Sequence, residues 1–159
     1  MISDSQREFI TLLHKWAAEQ WKEAEVVEEG DLLILRMLPR LHDDGTGAVL
    51  MEVCLLEYSE EISVAQIYTT IIPEPKPGLT ALREKLPRWN FASLAGAYGI
   101  YEEQGQLYHK QNVAVLRELG VDDQVEAVLT GIFAAMDEMA RRLPEALAVS
   151  AGSDDGAAQ

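Results

Sequence analysis

Apolar residues at Phe9, Leu12, Leu13, Trp16, Ala17 and Trp21 recur in steps of three and four, the spacing that lines one face of a helix. Ser5 and Glu8 stand at capping-box spacing just before them, which places the expected helix start there. The pattern then changes to extended runs. "EVVEEGDLLILRML" reads as a short strand, a turn at Glu29-Gly30-Asp31 and a longer strand. "HDDGTG" reads as a turn, since Asp tolerates and Gly supplies left-handed backbone. "AVLMEVCLLEY" and "SVAQIYTTII" follow as strands rich in β-branched and aromatic residues. "PEPKPG", with three prolines in five residues, cannot continue a strand and reads as an extended linker.

A short helix comes next, with Leu79, Leu82 and Leu86 on one side and Pro87 as its expected end. "LAGAYGIYEEQGQLYHKQNVAVL" then folds back on itself as two strands joined at Glu103-Gln104-Gly105. Its first strand sets Ala95, Ala97 and Gly99 beside Tyr98 and Tyr101. Small residues there permit close approach of a helix or another backbone, and tyrosine adds flat contact area with a polar tip. The last element, "GVDDQVEAVLTGIFAAMDEMARRL", is a long amphipathic helix. Asp122 or Asp123 is its expected cap, Val121 its staple, and Arg141 and Arg142 fall where a helix C-terminus favours cations. Residues 1–149 read as a single domain, and the small polar residues 150–159 as a disordered tail.

The order is helix, three or four strands, helix, two strands, helix. Strands joined by short turns pair antiparallel, so the chain is expected to be an α+β domain with helices packed on one antiparallel sheet. Two strands are apolar on both faces. Val49, Met51, Val53 and Leu55 alternate with Leu50, Cys54, Leu56 and Tyr58, broken only by Glu52. Leu33, Leu35 and Met37 alternate with Leu32, Ile34 and Leu38, interrupted by Arg36. A sheet with one solvated face would read apolar, polar, apolar, polar. The second face is therefore expected to be covered by a second copy, by the last helix wrapping round the sheet, or by a client, with a C2 homodimer first among these.

The chain has 159 residues, 48% of them hydrophobic, and 13 Lys+Arg against 27 Asp+Glu for a formal charge of −14. That charge favours solubility and repels phosphate backbones and anionic headgroups, so neither nucleic acid nor a membrane surface is expected as a partner. "MISDSQREF" lacks a basic region followed by an apolar core, and no apolar run approaches the ~18 residues of a membrane span. Cys54 is the sole cysteine. A cytoplasmic location is expected, with Cys54 as a packing residue, because no cationic neighbour in "LMEVCLLEY" would activate it.

No phosphate loop matches GxxxxGK[ST], and "DDGTGAV" sets its glycines between strands beside acids. His42-Asp43-Asp44 is the one dense run of candidate metal ligands, and a solvated turn accounts for it. Glu28-Glu29, Glu60-Glu61 and Glu102-Glu103 fall at turns, where nothing shifts a carboxylate toward acid–base work. Ser63 and Ser93 lack the surroundings of a nucleophile elbow. No catalytic residue, cofactor or metal site is expected.

The stretches "LREKLPRWNFASLAGAYGIYEEQGQLYHKQNVAVL" and "VDDQVEAVLTGIFAAMDEMARRLPEAL", in the order given above, resemble the YbjN family and the related type III secretion chaperone-like fold. In such proteins a helix ending near Asn leads into a strand, an acidic-Gly hairpin, a return strand and a long amphipathic helix. The resemblance implies a small, acidic, bacterial, often dimeric protein that binds other proteins and catalyses nothing.

The function expected is thus a chaperone-like, non-catalytic module that binds a partner polypeptide through apolar sheet and helix surfaces. Arg36, Glu52 and Tyr58, which interrupt or end apolar strand faces, and Tyr98 and Tyr101 are the expected contact residues; for the first three, keeping an exposed face soluble is the simpler account. The alternative is a carrier or sensor of a small apolar ligand, held in a closed pocket lined by residues such as Trp16, Trp89, Phe91 and Phe133.

Overall fold

In the computed structural model, which describes residues 1–74, 77–101, 103 and 105–152, the elements run α1 (Asp4–Gln20), β1 (Ala24–Glu29), β2 (Leu32–Met37), β3 (Leu50–Glu57), β4 (Ile62–Ile72), α2 (Leu79–Ala92), β5 (Ala97–Tyr101), β6 (Gln106–Leu116) and α3 (Val121–Ser150). The six strands form one antiparallel sheet in the order β1-β2-β3-β4-β6-β5. This is the expected α+β architecture. The first four strands form a meander; α2 then carries the chain across so that β5 becomes the far edge and β6 slots in beside β4.

The helices form a single layer. α1 packs on β1, β2 and β3, α3 on β4 and β6, and α2 on β5, while α3 touches both other helices. Phe9, Leu13 and Ala17 of α1, Leu82 and Trp89 of α2, and Val128, Ile132, Ala135 and Met139 of α3 join Leu35, Met51, Val53, Ala65, Ile67 and Leu107 of the sheet in one core. Burying each large apolar side chain contributes about 1.5–3 kcal/mol. The last helix does not wrap round the sheet, as one expectation had it. It lies on the same face as the others because its apolar stripe and theirs meet there.

Local signals place the element ends differently from the sequence reading in four places. The capping box is Ser3 with Gln6, not Ser5 with Glu8: Ser3 Oγ accepts from the Gln6 amide at 3.2 Å and Gln6 Oε1 accepts from the Ser3 amide at 2.8 Å. The buried Gln6 side chain also donates to the Leu55 carbonyl at 2.9 Å, so the cap doubles as a tie to the sheet. α2 does not end at Pro87; that ring is solvent-exposed and the helix continues to Ala92. Proline forfeits one hydrogen bond, and the next turn is held by tertiary bonds: Asn90 Oδ1 accepts from the Tyr98 amide at 2.6 Å and its Nδ2 donates to the Tyr98 carbonyl at 3.0 Å.

α3 is longer than expected, passing Pro144 to Ser150. Arg141 and Arg142 are therefore mid-helix residues, where they reach Glu138 and Glu145 rather than the helix end. Its N-cap is Gly120, with no capping side chain, so neither Asp122 nor Asp123 caps it; both lie in the first turn, where the dipole favours acids. Ser150 is buried and its carbonyl accepts from the Gly78 amide at 3.2 Å. A β-carbon on Gly78 would stand 2.1 Å from the Val149 carbonyl oxygen, so α2 begins directly against the end of α3. Ser150 thus belongs to the folded body, while residues 153–159 of the expected tail, Pro75 and Lys76 of the proline linker, and Glu102 and Gln104 of the β5–β6 turn lie outside the described residues. Among the described residues no helix is long and apolar enough to cross a membrane.

Candidate functional site

With all three helices on one side, the other face of the sheet carries no helix among the described residues. Alternation and register assign its side chains. Ile34, Cys54, Gln66 and Asn112 form one cross-strand row, Leu56, Val64 and Ala114 another, and Ile62 stands opposite Leu116 at the sheet's end. Most of these groups are partly exposed. Ile34, Cys54, Leu56, Ile62, Val64, Ala114 and Leu116 make a largely apolar field across the four central strands, interrupted by the amides of Gln66 and Asn112.

A polar row borders it: Glu25, Arg36, Glu52, Tyr68, Lys110 and Ala97 lie opposite one another across all six strands. Arg36 Nε donates to Glu52 Oε1 at 2.7 Å and its terminal nitrogen bonds Glu29. The hydrogen bond to Glu52, then that to Glu29, holds the guanidinium pKa above its ordinary value. A forked cation between two carboxylates leaves the face locally anionic yet rigid. Beyond it the rings of Tyr68 and Tyr108 stack, centroids 4.9 Å apart at 24°. Gln106 Nε2 donates to Thr70 Oγ1 at 2.8 Å beside them. Burial, then Tyr108 and Glu52, push the Tyr68 phenol pKa up, which disfavours its phenolate.

The five expected contact residues are not one site. Arg36 and Glu52 are directly bonded on the open face. Tyr101 is on the same face at the β5 edge, 44% exposed, its hydroxyl 3.4 Å from Glu103 Oε2. Tyr58 lies outside the sheet in the β3–β4 turn, 78% exposed. Tyr98 faces the helices and is 4% exposed, its hydroxyl 3.3 Å from Glu138 Oε1; as a contact residue it is a correction, since a partner cannot reach it. Tyr68, Tyr108 and Lys110 were missed. Their signal was the alternation of "QIYT" and "LYHKQN", where Tyr68 is in phase with Val64 and Tyr108 with Lys110.

Close approach at this end of the hairpin comes from β6 itself: the Tyr108 ring lies against Gly99 of β5, and β6 backbone and the His109 ring lie against Gly96 just before the strand. A β-carbon on Gly96, at φ +70°, would stand 2.5 Å from the Lys110 carbonyl oxygen and 2.6 Å from His109 Cε1. That histidine is fully buried, its Nε2 lies 2.6 Å from the Ala95 carbonyl oxygen, and burial lowers its pKa, so it is neutral. Tyr98 packs edge-on against it, and Trp89 beyond donates to Glu145 Oε2 at 3.1 Å beneath the Arg142 guanidinium. This internal network ties α2, α3 and β5 together.

Reactive chemistry is poorly supplied. Burial raises the Cys54 pKa first and Glu52 raises it further, so the thiolate is disfavoured. Asp44 accepts from the Thr46 amide and hydroxyl at 2.9 and 2.6 Å, and those bonds lower its pKa. Among the described residues no group of three or more His, Cys, Asp or Glu is placed to hold a metal ion. Trp16, Trp89, Phe91 and Phe133 do not line one pocket: Trp16 meets Phe133 edge-on at 5.6 Å, Trp89 is fully buried elsewhere, and Phe91 is 95% exposed. Neither a protein-family model nor a curated protein matches the chain.

Proposed function

We propose that this chain is a non-catalytic, chaperone-like binding module that seats a partner polypeptide on the open face of its sheet, a second copy of the chain being the first such partner. The observation that carries this reading is the one-sided packing: three helices on one face, and Ile34, Leu56, Val64 and Ile62 on the other with no helix over them among the described residues. These side chains are partly exposed, so covering them recovers part of the about 1.5–3 kcal/mol that full burial of each contributes, and a field of them favours association. The Arg36–Glu52–Glu29 clamp and the tyrosine stack supply the polar margin that orients a partner, as rim groups do at protein interfaces.

The test is the molar mass in solution by light scattering, for the wild type and for Val64→Glu. A dimer that becomes a monomer on substitution, at unchanged circular dichroism, supports the reading with a second copy as occupant. A wild-type monomer whose photo-crosslinker at position 64 forms no polypeptide adduct in its own cells would rule it out.

A further inference from the structure

A second surface lies on the opposite side of the molecule, in the helical layer. Leu12 and Trp16 of α1 and Val125 and Leu129 of α3 floor a groove of about 310 Å³ between the two helices. Trp16 closes one end, edge-on to Trp21 at 5.4 Å and to Phe133 at 5.6 Å, and Phe133 is 47% exposed. Lys15, Glu19, Asp122 and Glu126 form the rim, three carboxylates against one ammonium. Ion pairs among the described residues engage other groups and none of these four.

The rim charges are not all explained by the fold. Asp122, in the first turn of α3, is favoured by the helix dipole. Glu19, in the last turn of α1, is placed against that dipole, and no basic residue accompanies it there. Lys15 and Glu19 stand four apart with the lysine first, the weaker order for a helical ion pair. The carboxylates therefore remain available to cations from outside.

We propose that this groove between α1 and α3 docks a basic amphipathic helix of another protein. The walls are helices whose backbone groups are bonded internally, so they offer no edge to an extended segment, whose own amides would be buried unpaired. A helix satisfies its own backbone and offers only side chains, with apolar positions at three- and four-residue spacing for the floor and Lys or Arg for the rim. A second copy does not supply that ligand. Its α1 and the first half of α3 carry the same acids; in its more basic α2, Leu82 and Trp89 are spent in its own core and Phe91 is the one large apolar side chain left exposed, so that helix presents no apolar row at three- and four-residue spacing. This inference is independent of the open sheet face.

The experiment is a calorimetric titration at physiological ionic strength with a peptide of leucine and lysine only. Its leucines sit at helical spacing over roughly 18 residues, long enough to form a helix, and a leucine–glutamate peptide serves as its counterpart. Expected is one lysine peptide per chain and no binding of the glutamate peptide. Affinity should fall at least about tenfold both in Leu129→Glu and in the Glu19→Lys/Glu126→Lys pair. The Glu60→Lys/Glu61→Lys pair, which changes net charge equally at the β3–β4 turn outside the groove, should lose far less. The proposal is overturned if the lysine peptide does not bind, if Leu129→Glu binds it as tightly as the wild type, or if the two charge-reversed pairs weaken it equally. It is also overturned if Leu129→Glu turns a wild-type dimer into a monomer, since a second copy would then fill the groove. Should Leu129→Glu fail to fold, the comparison of the two lysine pairs decides alone.

Discussion

The ring of Tyr108 lies directly over Gly99: a β-carbon built on that glycine would stand 2.4 Å from both its Cζ and its phenolic oxygen. The two are cross-strand partners in the β5–β6 pair. The glycine therefore makes room for the ring that stacks on Tyr68, and a feature of the edge strand sets the shape of the open face two strands in. Gly99→Ala should force Tyr108 out of the stack and cost about 1–3 kcal/mol, the usual toll of overpacking. Urea denaturation measures the cost, and loss of the tyrosine near-ultraviolet circular dichroism would report the displaced ring.

Ser3 and Ser5 make a second test. Only Ser3 caps α1, and its box partner Gln6 is tied to Leu55. Ser3→Ala should lower stability by about 0.5–2 kcal/mol, whereas Ser5→Ala should leave it nearly unchanged. Equal losses would mean that the helix starts where the spacing of Ser5 and Glu8 suggests.

His109 makes stability depend on pH. Burial depresses its native pKa, while the unfolded side chain titrates near ~6.5. Tyr98 and Glu138 face it from β5 and α3; the ring contact to Tyr98 is 4.9 Å, and Glu138 opposes the shift without reversing it. Below the unfolded pKa the unfolded chain binds a proton that the native chain refuses. Stability attributable to His109 is therefore full above about 6.5 and falls as pH drops from there toward the lower native value. Urea midpoints at neutral and mildly acid pH should show this fall in the wild type and a smaller one in His109→Gln. An identical slope in both would sink the prediction.

Cys54 should be slow toward thiolate-directed reagents. Its thiol is buried among strands and its pKa is raised by that burial and by Glu52. A colorimetric disulfide reagent at mildly alkaline pH should modify it far more slowly in the native protein than in urea. Reaction in the native protein at the unfolded rate would restore Cys54 as a candidate nucleophile.

Element types were legible in the chain because they follow from local periodicity. The three-and-four spacing of Phe9 through Trp21, the two-sided apolar run through Cys54, and the glycine turns at Gly30 and Gly105, both at positive φ, each depend only on neighbours in sequence. The prediction of a sheet face needing cover rested on the same alternation, and the structure leaves that face open. Element ends were less legible. Pro87 reads as a stop and Pro144 lies inside α3, yet α2 and α3 run past them, because Asn90 clamped to Tyr98 and Ser150 bonded to Gly78 hold the later turns.

What the sequence alone determined is the α+β class and the antiparallel pairing; both follow from side-chain spacing and turn chemistry within a few positions. Only the tertiary structure decided which face each tyrosine serves. Tyr98 and Tyr101 are three residues apart on one strand, an odd step, so when the helices cover Tyr98 the pleat turns Tyr101 to the open face. The same choice brought Arg36, Glu52, Tyr68 and Lys110 into one row from four strands. No local pattern contains that row, because it is made by register between segments far apart in the chain.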